Sequence, residues 1–156
     1  MVKAIKVMLI PNNIQKTKMF QYAGASRFAY NWALAREKES YEKEGRFLSD
    51  SELRKEFTRL RNSDEYAWLR NISNNVTKQT IKDACTAYKN FFKGLQNYPR
   101  FKSKKKSTPK FYQDNMKIRF CDTHVKFEGF AVSKKKNKQK RNWVRLAERG
   151  RIPTDA

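Results

Sequence analysis

The side chains with most chemical capacity in this sequence are lysines set among aromatic rings. Lys102-Ser103-Lys104-Lys105-Lys106 is one run, and Lys134-Lys135-Lys136-Asn137-Lys138-Gln139-Lys140-Arg141 is a second. Phe101 precedes the first run, Phe111 and Tyr112 follow it, and Trp143 follows the second. Ammonium groups at this density neutralise phosphates and release condensed counterions, so the resulting affinity falls steeply with salt. Rings beside them can stack on bases or ribose. Either run alone reads equally well as a solvated loop, and Trp143 equally well as core. The interleaving of charge and rings is what points to a polyanionic partner.

Catalytic chemistry has no comparable signature. His124 has no cysteine or serine nucleophile beside it with a sequence rationale, and reads as a surface or edge side chain. Cys85 lies near an apolar helix face and reads as a small buried residue, while Cys121 at a strand end is uninformative. Two cysteines and one histidine cannot by themselves complete a four-ligand zinc site. Glu37, Glu39, Glu42 and Glu44 crowd one helix end, but interleaved with Arg36, Lys38 and Lys43 they read as a solvated charged face. A metal-dependent nuclease needs carboxylates converging on its ions, and no such cluster is marked. No P-loop or dinucleotide fingerprint is present, so no catalytic residue, metal site or cofactor is expected.

The composition agrees with binding. The chain has 156 residues, 36 Lys plus Arg against 15 Asp plus Glu, and a net charge of +21. Residues 1–96 are net +8 and residues 97–156 are net +13. Such a charge repels itself, and a polyanion relieves it. Nucleic acid is the leading candidate and an anionic membrane surface the rival. With 13% aromatic residues the chain should have a folded core rather than be a polybasic tail. No stretch approaches the roughly 18 apolar residues of a membrane span, and Lys3 and Lys6 interrupt any signal peptide. A soluble chain in a reducing cytosol is expected.

The elements that must position these groups follow from hydrophobic period. Ala4 to Ile10 alternates with lysine and then runs apolar to Pro11, which predicts a strand. From Asn13 the period is helical. One short helix is expected to end at Gly24 as a C′ residue, and a second to run from Ser26 to Glu44 with Phe28, Trp32, Ala35 and Tyr41. Ser49-Asp50-Ser51-Glu52 is a capping box opening a helix with Leu53, Phe57 and Leu60 inside. Ser63 opens a short turn or helix through Trp68 and Leu69. After Ser73, Val76, Thr80, Ala84, Ala87, Tyr88, Phe91 and Leu95 make one continuous face.

Beyond Pro99 the helical period disappears. Residues 110–112, 116–120, 123–127 and 143–146 alternate, predicting short antiparallel strands with basic faces. A lone strand, then helices, then strands suggests an α+β chain in which a helical bundle interrupts a small barrel suited to nucleic acid.

Several blocks resemble a family. Ala4-Ile5-Lys6-Val7 through Ile10-Pro11-Asn12, Arg27-Phe28-Ala29-Tyr30-Asn31-Trp32-Ala33-Leu34, and Trp68-Leu69 are similar to the start of the transposon-encoded TnpB/OrfB proteins. So are Ala87-Tyr88-Lys89-Asn90-Phe91-Phe92 and Tyr98-Pro99-Arg100-Phe101-Lys102-Ser103-Lys104-Lys105. These are RNA-guided nucleases related to compact type V CRISPR effectors, and the blocks hold their order from residue 2 to about 120. The resemblance implies a partial oligonucleotide-binding-like wedge β-barrel, with first strand 1–11 and remaining strands and basic loops in 97–156. It also implies a helical recognition lobe at 12–96, inserted after that first strand.

The partners it implies are guide RNA and target DNA. Motif-reading positions would fall near Asp50 and Arg54, near Asn74 and Lys78, and near Tyr112. With Lys82, Arg100, Lys102, Lys104, Lys105, Lys106, Lys134, Lys135, Lys136 and Arg141 these make up the expected nucleic-acid contacts. The family's RuvC-like carboxylates and zinc ribbon have no counterpart here. The chain therefore reads as an N-terminal portion, truncated before the nuclease and not an enzyme alone. Alternatives are a freestanding helix-turn-helix-like DNA-binding regulator and a decayed transposon remnant.

Overall fold

A computed structural model describes residues 3–114, 116–130 and 143–152. In chain order it has β1 (Leu9–Ile10), α1 (Asn13–Glu44), α2 (Asp50–Arg61), a 3-10 turn (Ala67–Asn71), α3 (Asn74–Phe92), β2 (Arg119–Phe120), β3 (His124–Lys126) and β4 (Val144–Leu146). This is an α+β architecture of three helices and a small antiparallel sheet. It divides into two compact units, one drawn from Met1–Phe20 and Gln113–Ala156, the other Gln21–Tyr112.

In the first unit the strands are ordered β1-β4-β3-β2. Leu9 lies opposite Leu146, His124 opposite Arg145, and Phe120 opposite Val125. Val125, Val144, Leu146 and Phe130 are buried. The strands are shorter than the alternation predicts, and Lys110-Phe111-Tyr112 forms none. A ladder reaches only as far as its partner, and β4 offers β1 just Leu146 and Arg145. In the same unit Asn12 and Gln15 cap the start of α1 reciprocally. The Asn12 side chain accepts from the Gln15 N–H at 2.8 Å, and the Gln15 side chain accepts from the Asn12 N–H at 2.9 Å.

The second unit is helical. α1 does not stop at Gly24; it is one helix from Asn13 to Glu44. A mid-helix glycine costs only about 1 kcal/mol, and flanking burial of Tyr22, Ala23 and Ala25 outweighs it. The actual stop is Gly45, whose φ of 66° is left-handed. Because a Cβ at Gly24 would meet nothing nearer than the Arg27 guanidinium at 3.8 Å, Gly24→Ala is expected to raise stability by about 0.5–1 kcal/mol. Urea denaturation followed by circular dichroism checks this.

The buried stripe of α1 is Tyr22, Ala25, Ala29, Ala33, Leu34, Glu37 and Ser40, whereas Ala35 and Tyr41 are exposed. Alanines allow close helix approach. Thr80 Oγ1 on α3 donates to the Ser26 carbonyl at 3.2 Å, and the Tyr88 hydroxyl to the Leu34 carbonyl at 3.3 Å. Both helices advance equally between these bonds, so α1 and α3 run parallel. Phe28 and Trp32 flank the stripe, edge-on to Trp68 at 5.4 Å and Phe57 at 5.2 Å.

The caps decide where α2 and α3 begin and end. Ser49 Oγ accepts from the Glu52 N–H at 3.2 Å, but the Glu52 carboxylate goes to Arg46 at 3.0 Å. Ser73 caps α3 through the Asn75 N–H. At the other end Leu95 N–H reaches the Asn90 carbonyl and Gly94 N–H the Phe91 carbonyl, with Gly94 at φ 73°. This is a Schellman close, and it leaves Leu95 exposed rather than on the α3 face.

Candidate nucleic-acid interface

The first cleft lies between α2 and α3. Leu53 and Phe57 point α2 inward, which turns Arg54 and Thr58 to its rim. Val76, Thr77, Thr80 and Ile81 do the same for α3, leaving Asn74, Lys78 and Lys82 at four-residue steps on an exposed stripe. Arg54, Thr58, Asn74, Thr77 and Lys78 thereby line one cleft of about 190 Å³, floored by Phe57 and Ile81. Arg54 is held in place by Asp50 at 3.4 Å and Ser51 at 3.4 Å, while its buried Nε has no hydrogen-bond partner among the described residues. Asn74 Oδ1 accepts from Arg61, whose guanidinium also donates to the Ile72 carbonyl at 3.0 Å. Arg61 thus ties α2 to the start of α3. Lys82 lies one turn beyond Lys78 and outside the cleft lining.

The Lys102–Lys106 run is anchored. The Asn31 side chain brackets residue 102, accepting its N–H at 2.7 Å and donating to its carbonyl at 2.8 Å. Ser107 N–H reaches the Ser103 carbonyl at 2.9 Å, and Ser103 Oγ accepts from the Lys106 N–H at 3.1 Å. The run is a single helical turn that leaves Lys104, Lys105 and Lys106 exposed. Lys102 is half-buried, its Nζ 4.2 Å above the Tyr30 ring. Of the interleaved rings, Phe101 and Tyr112 are exposed, and Phe111 packs edge-on to Tyr22 at 5.4 Å. Arg100, Phe101 and Tyr98 border a further groove with Lys38. Trp143 is half-buried and its carbonyl accepts from Gln15. Lys134, Lys135, Lys136 and Arg141 lie outside the described residues.

The structure also revises the acidic group on α1. Glu37 is no part of a solvated face: it is 2% exposed and accepts the Leu48 N–H at 2.8 Å. Burial pushes its carboxyl up to about 7, helped by the Glu52 charge and opposed by the Leu48 bond and by Arg36 and Arg46. The signal was present, since Glu37 falls in the three-and-four register of Ala33 and Ser40. Glu39 does face solvent, with Lys43 at 2.9 Å. Cys85 is buried, and desolvation pushes its thiol up to about 12, with Glu37 adding to the effect. Such a thiol stays protonated and inert. His124 is half-buried on β3, Nδ1 2.8 Å from the Thr123 hydroxyl.

Among the described residues no group of three or more His, Cys, Asp or Glu could hold a metal ion, and no helix is long and apolar enough to cross a membrane. What these surfaces offer is donors: guanidinium, ammonium and amide groups in the α2–α3 cleft, and Lys38 and Arg100 beside the exposed Tyr98 and Phe101 rings in the further groove. These suit phosphates and acceptor-rich base edges.

Comparison with known proteins agrees in kind. Residues 1–46 match a helix-turn-helix domain family of OrfB, IS605 type. Within those residues the described backbone is β1 followed by one uninterrupted helix. The chain is 32% identical over 116 residues to InsQ of Escherichia coli (strain K12), named as a candidate RNA-guided DNA endonuclease. It is 30% identical over 105 residues to a similarly named protein of Streptomyces pristinaespiralis. These stretches take in 74% and 67% of this chain but only 29% and 26% of the two relatives. Residues 1–46 are therefore similar to the OrfB helix-turn-helix family of IS605 type, and the chain is similar to part of two named candidate RNA-guided DNA endonucleases.

Proposed function

We propose that this chain is the nucleic-acid-binding N-terminal segment of an OrfB-type RNA-guided DNA endonuclease, holding guide RNA and target-adjacent DNA and cutting neither by itself. On this reading residues 1–11 and 97–156 belong to the wedge and residues 12–96 form the recognition lobe. The observation that carries it is the α2–α3 cleft, where Arg54 from one helix meets Asn74 and Lys78 from another. All three carry hydrogen-bond donors, and among the described residues the Arg54 guanidinium has one N–H that is buried and unpaired. The net charge of +21 supplies the long-range attraction. Exposed Lys104, Lys105 and Lys106 add phosphate contacts beside Phe101 and Tyr112. Cutting would need metal-held carboxylates, which this reading assigns to another part of the larger protein.

Arg54→Gln is expected to weaken duplex binding by about 1–3 kcal/mol and to flatten the preference among target-adjacent sequences. Lys78→Gln should weaken all sequences alike and lower the salt slope by about 1. Fluorescence anisotropy on a panel of duplexes separates the two effects. If both variants bind every probe as the wild type does, the cleft is not the interface.

A second reading, favoured by the description of the matched family, is a freestanding DNA-binding regulator. It requires sequence-specific duplex binding without RNA, and paired half-sites if the chain dimerises.

A further inference from the structure

Apart from the α2–α3 cleft, a basic cleft beside α1 is left unused by the reading above. Ser26 and Arg27 on α1 face the segment from Lys102 to Lys110, and with Ala23, Ser107, Thr108 and Pro109 they enclose about 210 Å³. Among the described residues three cations, Arg27, Lys102 and Lys110, line it, and no carboxylate does. Arg27 and Lys110 make no ion pair among the described residues. The ammonium of Lys102 is held below its usual range, first by burial and then by repulsion from Lys110, with Asp83 opposing. Asp83 lies on α3, outside the cleft lining, and already accepts from Gln79 at 3.0 Å.

The scaffold around these charges is specific. Asn31 brackets Lys102 on both sides of its peptide, and the ring of Tyr30 carries its ammonium at 4.2 Å. The helical turn closed by Ser107 onto Ser103 directs the chain back toward α1. Pro109 fixes its own φ and keeps Thr108 extended, so Thr108 and Lys110 are presented in a restricted geometry. Gly24 leaves the space beside the Arg27 guanidinium open. The wall carries hydroxyls from Ser26, Ser107 and Thr108 and no aromatic ring, so a base has nothing to stack on. A tetrahedral anion with several acceptor oxygens would meet a guanidinium fork, two ammonium groups and hydroxyl donors. It would also relieve repulsion that nothing on the wall offsets.

We infer that this cleft of Arg27, Lys102, Lys110 and the Ser107 and Thr108 hydroxyls is a seat for a single backbone phosphate of bound nucleic acid. The inference deepens the nucleic-acid reading and rests on it. The seat fixes the register of the strand as it passes α1, whereas the exposed lysines at 104–106 contribute charge without position.

The test uses the full chain and a labelled RNA–DNA hybrid carrying one neutral methylphosphonate at successive backbone positions. Wild type should show one position whose neutralisation weakens binding several-fold, and Arg27→Gln/Lys110→Gln should become insensitive at that position. The two single variants should be non-additive, and the double variant should lower the salt slope by about 0.7–0.9, the value for one phosphate. Lys105→Gln should leave the sensitive position unchanged. Additive losses with no coupled position, while wild type still binds the hybrid, would overturn the seat and leave the nucleic-acid reading standing. No binding of any nucleic acid by wild type would remove both. Inorganic phosphate alone provides the remaining arm: if it shifts the Ser107–Lys110 amide resonances while the methylphosphonate scan is silent, the cleft takes free phosphate and the inference is wrong.

Discussion

Wild-type protein is expected to lose stability as pH rises from about 5 to 8, and Glu37→Gln is expected to abolish that loss. Glu37 sits on the inner face of α1 and accepts the Leu48 N–H, while Ser40 one turn on donates to the Arg46 carbonyl at 2.8 Å. Together they pin the connection that leads into α2. Because burial dominates, the folded carboxyl titrates near 7 instead of its ordinary 4.5. The folded state therefore holds this proton more tightly than the unfolded chain. Its contribution is complete below about pH 4.5 and is lost as pH climbs through 7. The titration near 7 is the net of burial and of the opposing Arg36 and Arg46 charges, and it corresponds to a loss of at most about 3 kcal/mol. Glutamine keeps an acceptor for Leu48 and cannot ionise, so its melting temperature should be flat across this window. Glu37→Ala would instead lose the acceptor and be weakened by about 1–3 kcal/mol at every pH. Calorimetry of the three proteins at pH 5 and pH 8 separates these outcomes.

The second large effect is Leu53→Ala. Leu53 is wholly buried on α2, beside Phe57, which packs edge-on to Trp32. Removing its isobutyl group is expected to cost about 2–5 kcal/mol, from lost transfer energy plus the cavity left behind. Against a total of about 5–15 kcal/mol for a domain, that is a large share. Arg54→Gln, one residue further on the cleft rim, gives up the Asp50 pairing and should change stability by about 1 kcal/mol or less. Urea denaturation of both variants tests the inside-outside assignment of α2, and equal losses would contradict it.

Sequence patterning reached the elements whose information is local. The Ser49 cap, the Leu53–Phe57 stripe, and the start of α3 after Ser73 with its face from Val76 to Tyr88 all follow from residue spacing, and all are present. What it missed depended on partners distant in the chain. Gly24 looked like a stop because the burial of Tyr22 and Ala25 on either side is a tertiary fact. Alternation from Ala4 to Ile10 promised a full strand, but β4 provides a ladder only for Leu9 and Ile10. Phe28 and Trp32 drew attention through size, while the helix approach selected Ala25, Ala29 and Ala33. At the candidate interface, Arg54, Asn74 and Lys78 were legible both as polar and basic residues on the helices and through family likeness. The Arg27 cleft had no signal at all, since its two walls come from opposite ends of the helical unit and Lys110 read as a strand residue.

The central claim is that charge and donors on this chain hold nucleic acid. It is tested most directly by measuring affinity for structured RNA, an RNA–DNA hybrid, duplex DNA and single strands at 50 and 200 mM salt. Engagement of about four phosphates predicts tight binding to the preferred probe at the lower salt and a loss of roughly a hundredfold at the higher. Weak affinity that salt leaves unchanged, across all four probes, would contradict the account.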